Sequence, residues 1–467
     1  MAQKKDALCG VVVDPTRSLA VTDPTALSRF SFQRTMDQIL TTGDVTTGQT
    51  SLDLYKQWWD TQNDDATGVT STRHCNDTNP NQNGFPIECP RAEGALASTN
   101  PFVAGNDHFT PVALFNRFDL APSDGSNCGE YRIVYAKDSG LTNSLNRTFI
   151  IFEAALPNPN PSAGIEGCRP VAEFWALLSS DADATSRATK LENFYYNGLT
   201  GFAPVVDAAH YGGTTSSYVG SAGQIRTNQF MQFNWLLREF KVQRVCRRVL
   251  VKAATTTTTI TKAAIIDPII EPIDPIEPAL SCSLVMNHVT VKANPFGPLF
   301  GTSGVAGSAD FQTEFVANMG SLLAGNANDI GLLNSEQFNA GDSFSQGSQN
   351  NYATQAAGNA ALLANITAAL PAGSGLNSTH VLNRATTQSC AGCHQLSNGA
   401  NLGTFSWPSS AGFVHVTENR TLSSALTGTF LPRRKTVLEN FVNTCVVRKL
   451  TVAPSLTISG KLVGAAN

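Results

Sequence analysis

Apolar residues change their spacing several times along the chain, and each change marks an element. Leu27, Phe30, Phe32, Met36, Ile39 and Leu40 populate much of a helical surface, with Thr22 or Asp23 as a cap before Pro24 in the first turn. A second helix is predicted from Ser51 through Trp58 and Trp59. Residues 64–110 then concentrate Asn, Asp, Gly and Pro around Cys75 and Cys89 and read as loop. From Val112 the pattern turns β-branched and aromatic, and the runs 131–136 and 147–153 predict neighbouring strands of a buried sheet. Helices are predicted again near 172–178 and 186–196, and a strand pair within 224–251.

Residues 254–280 break this rhythm. A run of threonines gives way to Ile, Pro and acidic residues, and Pro268, Pro272, Pro275 and Pro278 exclude a helix and favour an extended, polyproline-like arm. An interdomain linker and a protruding arm that contacts another subunit both fit. The flanks 242–252 and 284–292 alternate like strands and carry Cys246 and Cys282, which favours an inserted hairpin extension over a domain boundary. Beyond Asn294, helical spacing returns over 310–323, 352–370, the stretch from Ser378, and 433–445. The expected fold class is α+β. A mixed strand and helix region with disulfides covers 1–253, a Thr/Pro/Ile-rich arm or linker 254–280, and a mainly α-helical region 281–467.

One segment names a cofactor. Cys390, Ala391, Gly392, Cys393 and His394 spell Cys-x-x-Cys-His, the pattern of covalent c-type haem attachment. Two thiols at that spacing add to the two porphyrin vinyl groups, and the adjacent imidazole becomes the proximal iron ligand. With ten Cys and seven His in 467 residues, about 0.003 chance matches are expected. A redox dithiol would need a βαβ setting, and a zinc site would need His394 and a fourth ligand such as Cys445.

The segment Ser-Cys-Ala-Gly-Cys-His-Gln at 389–395 resembles a c-type cytochrome over little more than the haem-binding stretch. The chain is also similar to large secreted bacterial proteins with one such motif near the C-terminus and runs such as Phe115-Asn116-Arg117-Phe118-Asp119, a likeness that implies no activity. The resemblance implies one covalent haem c and a cytochrome c-like character for 281–467. It also implies electron transfer with a redox partner protein or by self-association.

The sixth ligand is open. All five methionines precede the motif and His415 is the only downstream histidine, so His415 is the expected ligand, with Met319, His380 or an open site as alternatives. Arg384, one turn from His380, is expected to pair a haem propionate, and Trp407 to pack at the haem edge. Two strong ligands favour electron transfer, whereas an open site would favour a peroxidase or oxygenase. A third possibility is a surface or assembly protein that uses the 254–280 arm for subunit contacts.

Composition narrows the setting. A net charge of −4 and a largest basic cluster of Arg433, Arg434 and Lys435 exclude nucleic acid as an expected partner. No apolar run approaches the roughly 18 residues of a membrane span. Eight cysteines outside the motif suggest a disulfide framework and a periplasmic or extracellular location. Of 105 possible connectivities, proximity favours Cys75–Cys89, Cys128–Cys168 and Cys246–Cys282, leaving Cys9 with Cys445. Lys4 and Lys5 precede only a short apolar run, so a secretory leader is expected to have been removed.

Overall fold

The computed structural model describes residues 10–59, 81–212, 223–249, 279–302 and 304–444. Its centre is an antiparallel sheet of eight strands: β1 (Ala20–Val21), β2 (Phe109–Arg117), β3 (Asn127–Lys137), β4 (Thr148–Pro157), β5 (Gln224–Gln229), β6 (Leu236–Val249), β7 (Ala279–Val289) and β8 (Asp342–Phe344). The strands pair in chain order from β1 to β6, and β7 and β8 share the far edge of β6. The two predicted strands within 131–153 are neighbours, with Ile133 opposite Phe152.

Side chains alternate across a strand, so one register assigns two faces at once. On the first face Tyr131, Ile133, Tyr135, Ile150, Phe152 and Ala154 are buried beneath α1 (Phe32–Thr42), α2 (Arg169–Leu178) and α3 (Ala184–Tyr196). Tyr131 stacks on Trp175 at 5.8 Å and meets Phe194 edge-on, while Thr35 Oγ1 joins the hydroxyls of Tyr135 and Tyr196, each at 2.7 Å. The first predicted helix divides in two. Asp23 caps Pro24–Leu27, and Ser31 starts α1 afresh by accepting from the Arg34 amide.

The second face carries the candidate site and overturns the expected fold for the C-terminal part. The described residues of 281–467 are not mainly helical or cytochrome c-like: β7 and β8 belong to the central sheet. Helices do form at α4 (Ser308–Asn318), α5 (Ala360–Ala369), α6 (Ser378–Gln388) and α7 (Leu431–Val442). Between α6 and α7, however, the chain is mostly turns and isolated bridges, rich in Gly, Ser and Asn, which favour turns over helix interiors. Helical spacing in the flanks is a sound local signal, but it carries no information about the irregular stretch between them.

Disulfides join Cys128 to Cys168 and Cys246 to Cys282, the second pair lying directly opposite each other on β6 and β7. Cys89 is disulfide-bonded as well. The expected partner Cys75, the Cys9–Cys445 pair and nearly all of the 254–280 arm lie outside the described residues. Among the described residues no helix is long and apolar enough to cross a membrane. Trp175→Ala removes a fully buried indole that Tyr131 and Phe194 both contact; a loss of about 3–5 kcal/mol is expected in urea unfolding.

Candidate functional site

The approach to the Cys-x-x-Cys-His segment is fixed by α6, which Asn377 caps by accepting from the His380 amide. After Gln388 the chain turns sharply. Ser389 Oγ accepts from the Gly392 amide at 3.0 Å, and the Ala391 amide donates to Ser343 Oγ of β8 at 3.0 Å, tying the motif to the sheet. A Cβ on Gly392 would lie 1.7 Å from the Thr386 carbonyl oxygen, so only glycine fits there. Cys390 is half-buried, Cys393 is buried, and neither is in a disulfide.

His394 is held by one carbonyl. Its Nδ1 lies 2.8 Å from the Phe413 oxygen, which can only accept, so Nδ1 carries the proton and Nε2 keeps its lone pair. Burial pushes the His394 imidazole down to about 4, which leaves it neutral at pH 7. The same carbonyl accepts from Asn228 Nδ2 of β5 at 3.0 Å, so the ring is tied to the sheet. Phe413 adopts φ of 68°, a left-handed conformation disfavoured for a bulky residue. Its ring lies edge-on to Trp235, centroids 3.7 Å apart. Arg147 secures the same loop through the Gly412 carbonyl at 2.9 Å and Glu418 at 2.7 Å.

His415 faces His394 at 4.8 Å between ring centroids. Its Nδ1 lies 2.9 Å from Ser423 Oγ and its Nε2 3.3 Å from Cys393 Sγ. Burial first, and then the neighbouring His394, push its imidazole well below the ordinary range.

Cys390, Cys393, His394 and His415 line one cavity with about 880 Å³ of non-atom space, its open mouth included. Val134, Phe149, Ile151, Leu237, Val414, Val416, Leu426 and Phe430 form apolar wall, and Arg117, Arg132, Arg226, Arg434 and Glu153 form charged wall. The sheet part follows from register: Phe115 pairs Arg132, which pairs Glu153, while Val134, Ile151 and Arg226 form the next row. Glu153 is 1% exposed and bridges Arg132 at 2.9 Å and Arg226 at 2.8 Å; Arg226 continues to Glu239 at 3.1 Å.

These residues fit a haem. An apolar ring system with two carboxylates matches apolar walls that carry guanidiniums. The two thiols lie at the cavity wall, and His394 presents a neutral nitrogen with a free lone pair. Two imidazoles sharing one metal at nitrogen–metal distances of about 2 Å stand further apart than the observed 4.8 Å. Binding through both rings would therefore require them to move apart from this arrangement, in which His415 Nε2 lies 3.3 Å from Cys393 Sγ. A thioredoxin-like dithiol fits poorly, since burial raises both thiols, Cys393 to about 12, where an attacking thiol needs a lowered value. No group of three or more His, Cys, Asp or Glu placed to hold a metal ion occurs among the described residues, and Cys445 lies outside them. A haem iron needs only one or two protein ligands.

The other sequence-predicted residues lie off the cavity. Arg384 donates to the carbonyls of Leu402, Leu322 and Ala324 and to Thr404 Oγ1, all within 2.9 Å, so it pins loops together. Trp407 is buried one layer back, 5.7 Å from the ring of Phe430. Met319 packs in a second hydrophobic cluster, and His380 does not line the cavity. Sequence reasoning missed the sheet wall. Its signal was a charged residue interrupting each of several apolar strands: Arg117, Arg132, Glu153, Arg226 and Glu239. Comparison with protein-family models, curated proteins and solved structures finds no match.

Two outcomes follow from the charged wall. Glu153→Gln leaves Arg132 and Arg226 short of a buried counter-charge and is expected to cost roughly 3–5 kcal/mol in denaturant unfolding. Burial pushes Glu130 up, but Arg132 and Arg117 more than offset it and hold the carboxyl down to about 2 from the ordinary 4.5. Its stabilising contribution is complete above the ordinary value and is lost as pH falls toward 2. Acid titration followed by near-ultraviolet circular dichroism should show Glu130→Gln flattening that part of the profile.

Proposed function

We propose that the chain is an extracytoplasmic monohaem c-type cytochrome that transfers electrons. The observation that carries this reading is the convergence of Cys390, Cys393, His394 and His415 on one cavity that is apolar in one part and guanidinium-lined in another. When bound, the haem iron supplies a one-electron ferric/ferrous couple. Cys390 and Cys393 would hold the porphyrin covalently, each by addition of S–H across a vinyl double bond with sulfur and hydrogen going to its two carbons, which would need no oxidant. His394 offers Nε2 because Phe413 holds Nδ1, and this bond fixes the ring's tautomer and orientation. His415 is the proposed sixth ligand, oriented by Ser423. Two such imidazole ligands would keep rearrangement during electron transfer small and would keep small substrates from the iron. The disulfides support an oxidising compartment.

The rival reading, a peroxidase or oxygenase, leaves His415 unligated as a base beside the Arg434 charge, since both line the cavity. One set of spectra separates the two. For the electron-transfer protein, a pyridine haemochrome spectrum gives one haem c per chain, retained through acid–acetone extraction and lost in Cys390→Ser/Cys393→Ser. The reduced spectrum of the parent is unchanged by carbon monoxide, whereas His415→Ala binds it. Rapid carbon monoxide binding by the parent would overturn the six-coordinate assignment, and absence of haem would overturn the whole reading.

A further inference from the structure

Arg434, in the first turn of α7, is the cavity's unanswered charge. It is 8% exposed and lines the cavity, yet it makes no hydrogen bond among the described residues. Its nearest carboxylate oxygen, Asp119 Oδ2, is 3.8 Å from Nε, and Asp119 is already gripped by Arg117 through contacts of 2.9–3.2 Å. The other arginines of the wall are answered. Arg132 holds Glu130 at 2.6 Å as well as Glu153, and Arg226 holds Glu153 and Glu239. A guanidinium left without a strong acceptor in the interior is costly, and its geometry suits a bidentate carboxylate. Burial first, and then repulsion from Arg117, push Arg434 down to about 9, more than the attraction of Asp119 offsets.

We propose that Arg434 is the anchor of a carboxylate-binding subsite inside the cavity, and that its occupant is a haem propionate. The inference rests on the haem reading above. It assigns to Arg434 the part that sequence spacing suggested for Arg384, whose donors are held by protein acceptors. The subsite has an apolar flank in Phe430, whose ring centroid is 5.9 Å from the guanidinium carbon. The other charged or titratable groups facing Arg434 are Arg117, Asp119, Arg132, Cys393 and His415. A carboxylate of a soluble substrate would use the same chemistry, and the experiment distinguishes the two sources.

The test uses purified holoprotein, its haem content first verified by the pyridine haemochrome assay, with Arg434→Gln and Arg434→Lys beside the parent. Midpoint potential is measured from pH 5 to 8, with and without sodium acetate. For a propionate anchor, Arg434→Gln lowers the potential, because a positive charge near the iron is lost. It also introduces a pH dependence absent from the parent, because the propionate no longer has its partner; Arg434→Lys largely restores both. Acetate then changes nothing. If instead acetate shifts the spectrum of the parent and not of Arg434→Gln, the subsite stands but the propionate assignment is overturned. Potentials and pH profiles that superimpose in all three proteins, with no acetate effect, overturn the subsite itself. A parent without haem overturns the haem reading and this assignment together. Should Arg434→Gln fail to mature, a crystal structure of the parent holoprotein decides: a propionate within hydrogen-bond distance of Arg434 supports the anchor, and both propionates elsewhere overturn it.

Discussion

Glu153, buried between Arg132 and Arg226, is the interaction on which the rest of the structure depends. A carboxylate at 1% exposure is tolerable only where opposite charges meet it at hydrogen-bond distance. That condition fixes the register of β3, β4 and β5, because sliding one strand by a single residue would send these side chains to the opposite face. The same register presses Tyr131, Ile133 and Phe152 against the helices. The apolar core on one side and the charged cavity wall on the other are therefore two consequences of one alignment.

The motif segment is held over this wall by contacts from distant parts of the chain. Arg147, leading into β4, grips the loop at Gly412 and Glu418; Asn228 of β5 and His394 share the Phe413 carbonyl; Ser343 of β8 receives the Ala391 amide. The N-terminal stretch closes the far end, with the Val11 and Val13 amides donating to Asn443 and Glu439 of α7 and its end. The candidate iron ligand is thus oriented by a sheet that comes mostly from the first half of the sequence. In the proposed cytochrome, the large region beside the motif is itself part of the cofactor's wall.

Local signals served well where an element is decided by its own residues. The strand pair around 131–153 and the helices near 172–178 and 186–196 were legible because β-branched runs and helical spacing agree with the tertiary fold. Cys128 with Cys168 and Cys246 with Cys282 were also legible, since short sequence separations bring the partners together. The extended helical region failed for a physical reason. Between α6 and α7 the chain is held by side-chain and backbone contacts to the sheet, and such long-range contacts leave no periodic trace.

By itself the sequence determined the chemistry that depends on neighbouring residues: the spacing of Cys390, Cys393 and His394, and the identity of His415 as the sole downstream histidine. Tertiary structure alone decided where that chemistry sits. It placed the motif on the central sheet, left Arg384 holding loops, and brought Arg434 to the cavity. The reason is geometric. Spacing along a chain fixes which groups can act together locally, but a cavity wall is made by strand register and by contacts between residues hundreds of positions apart.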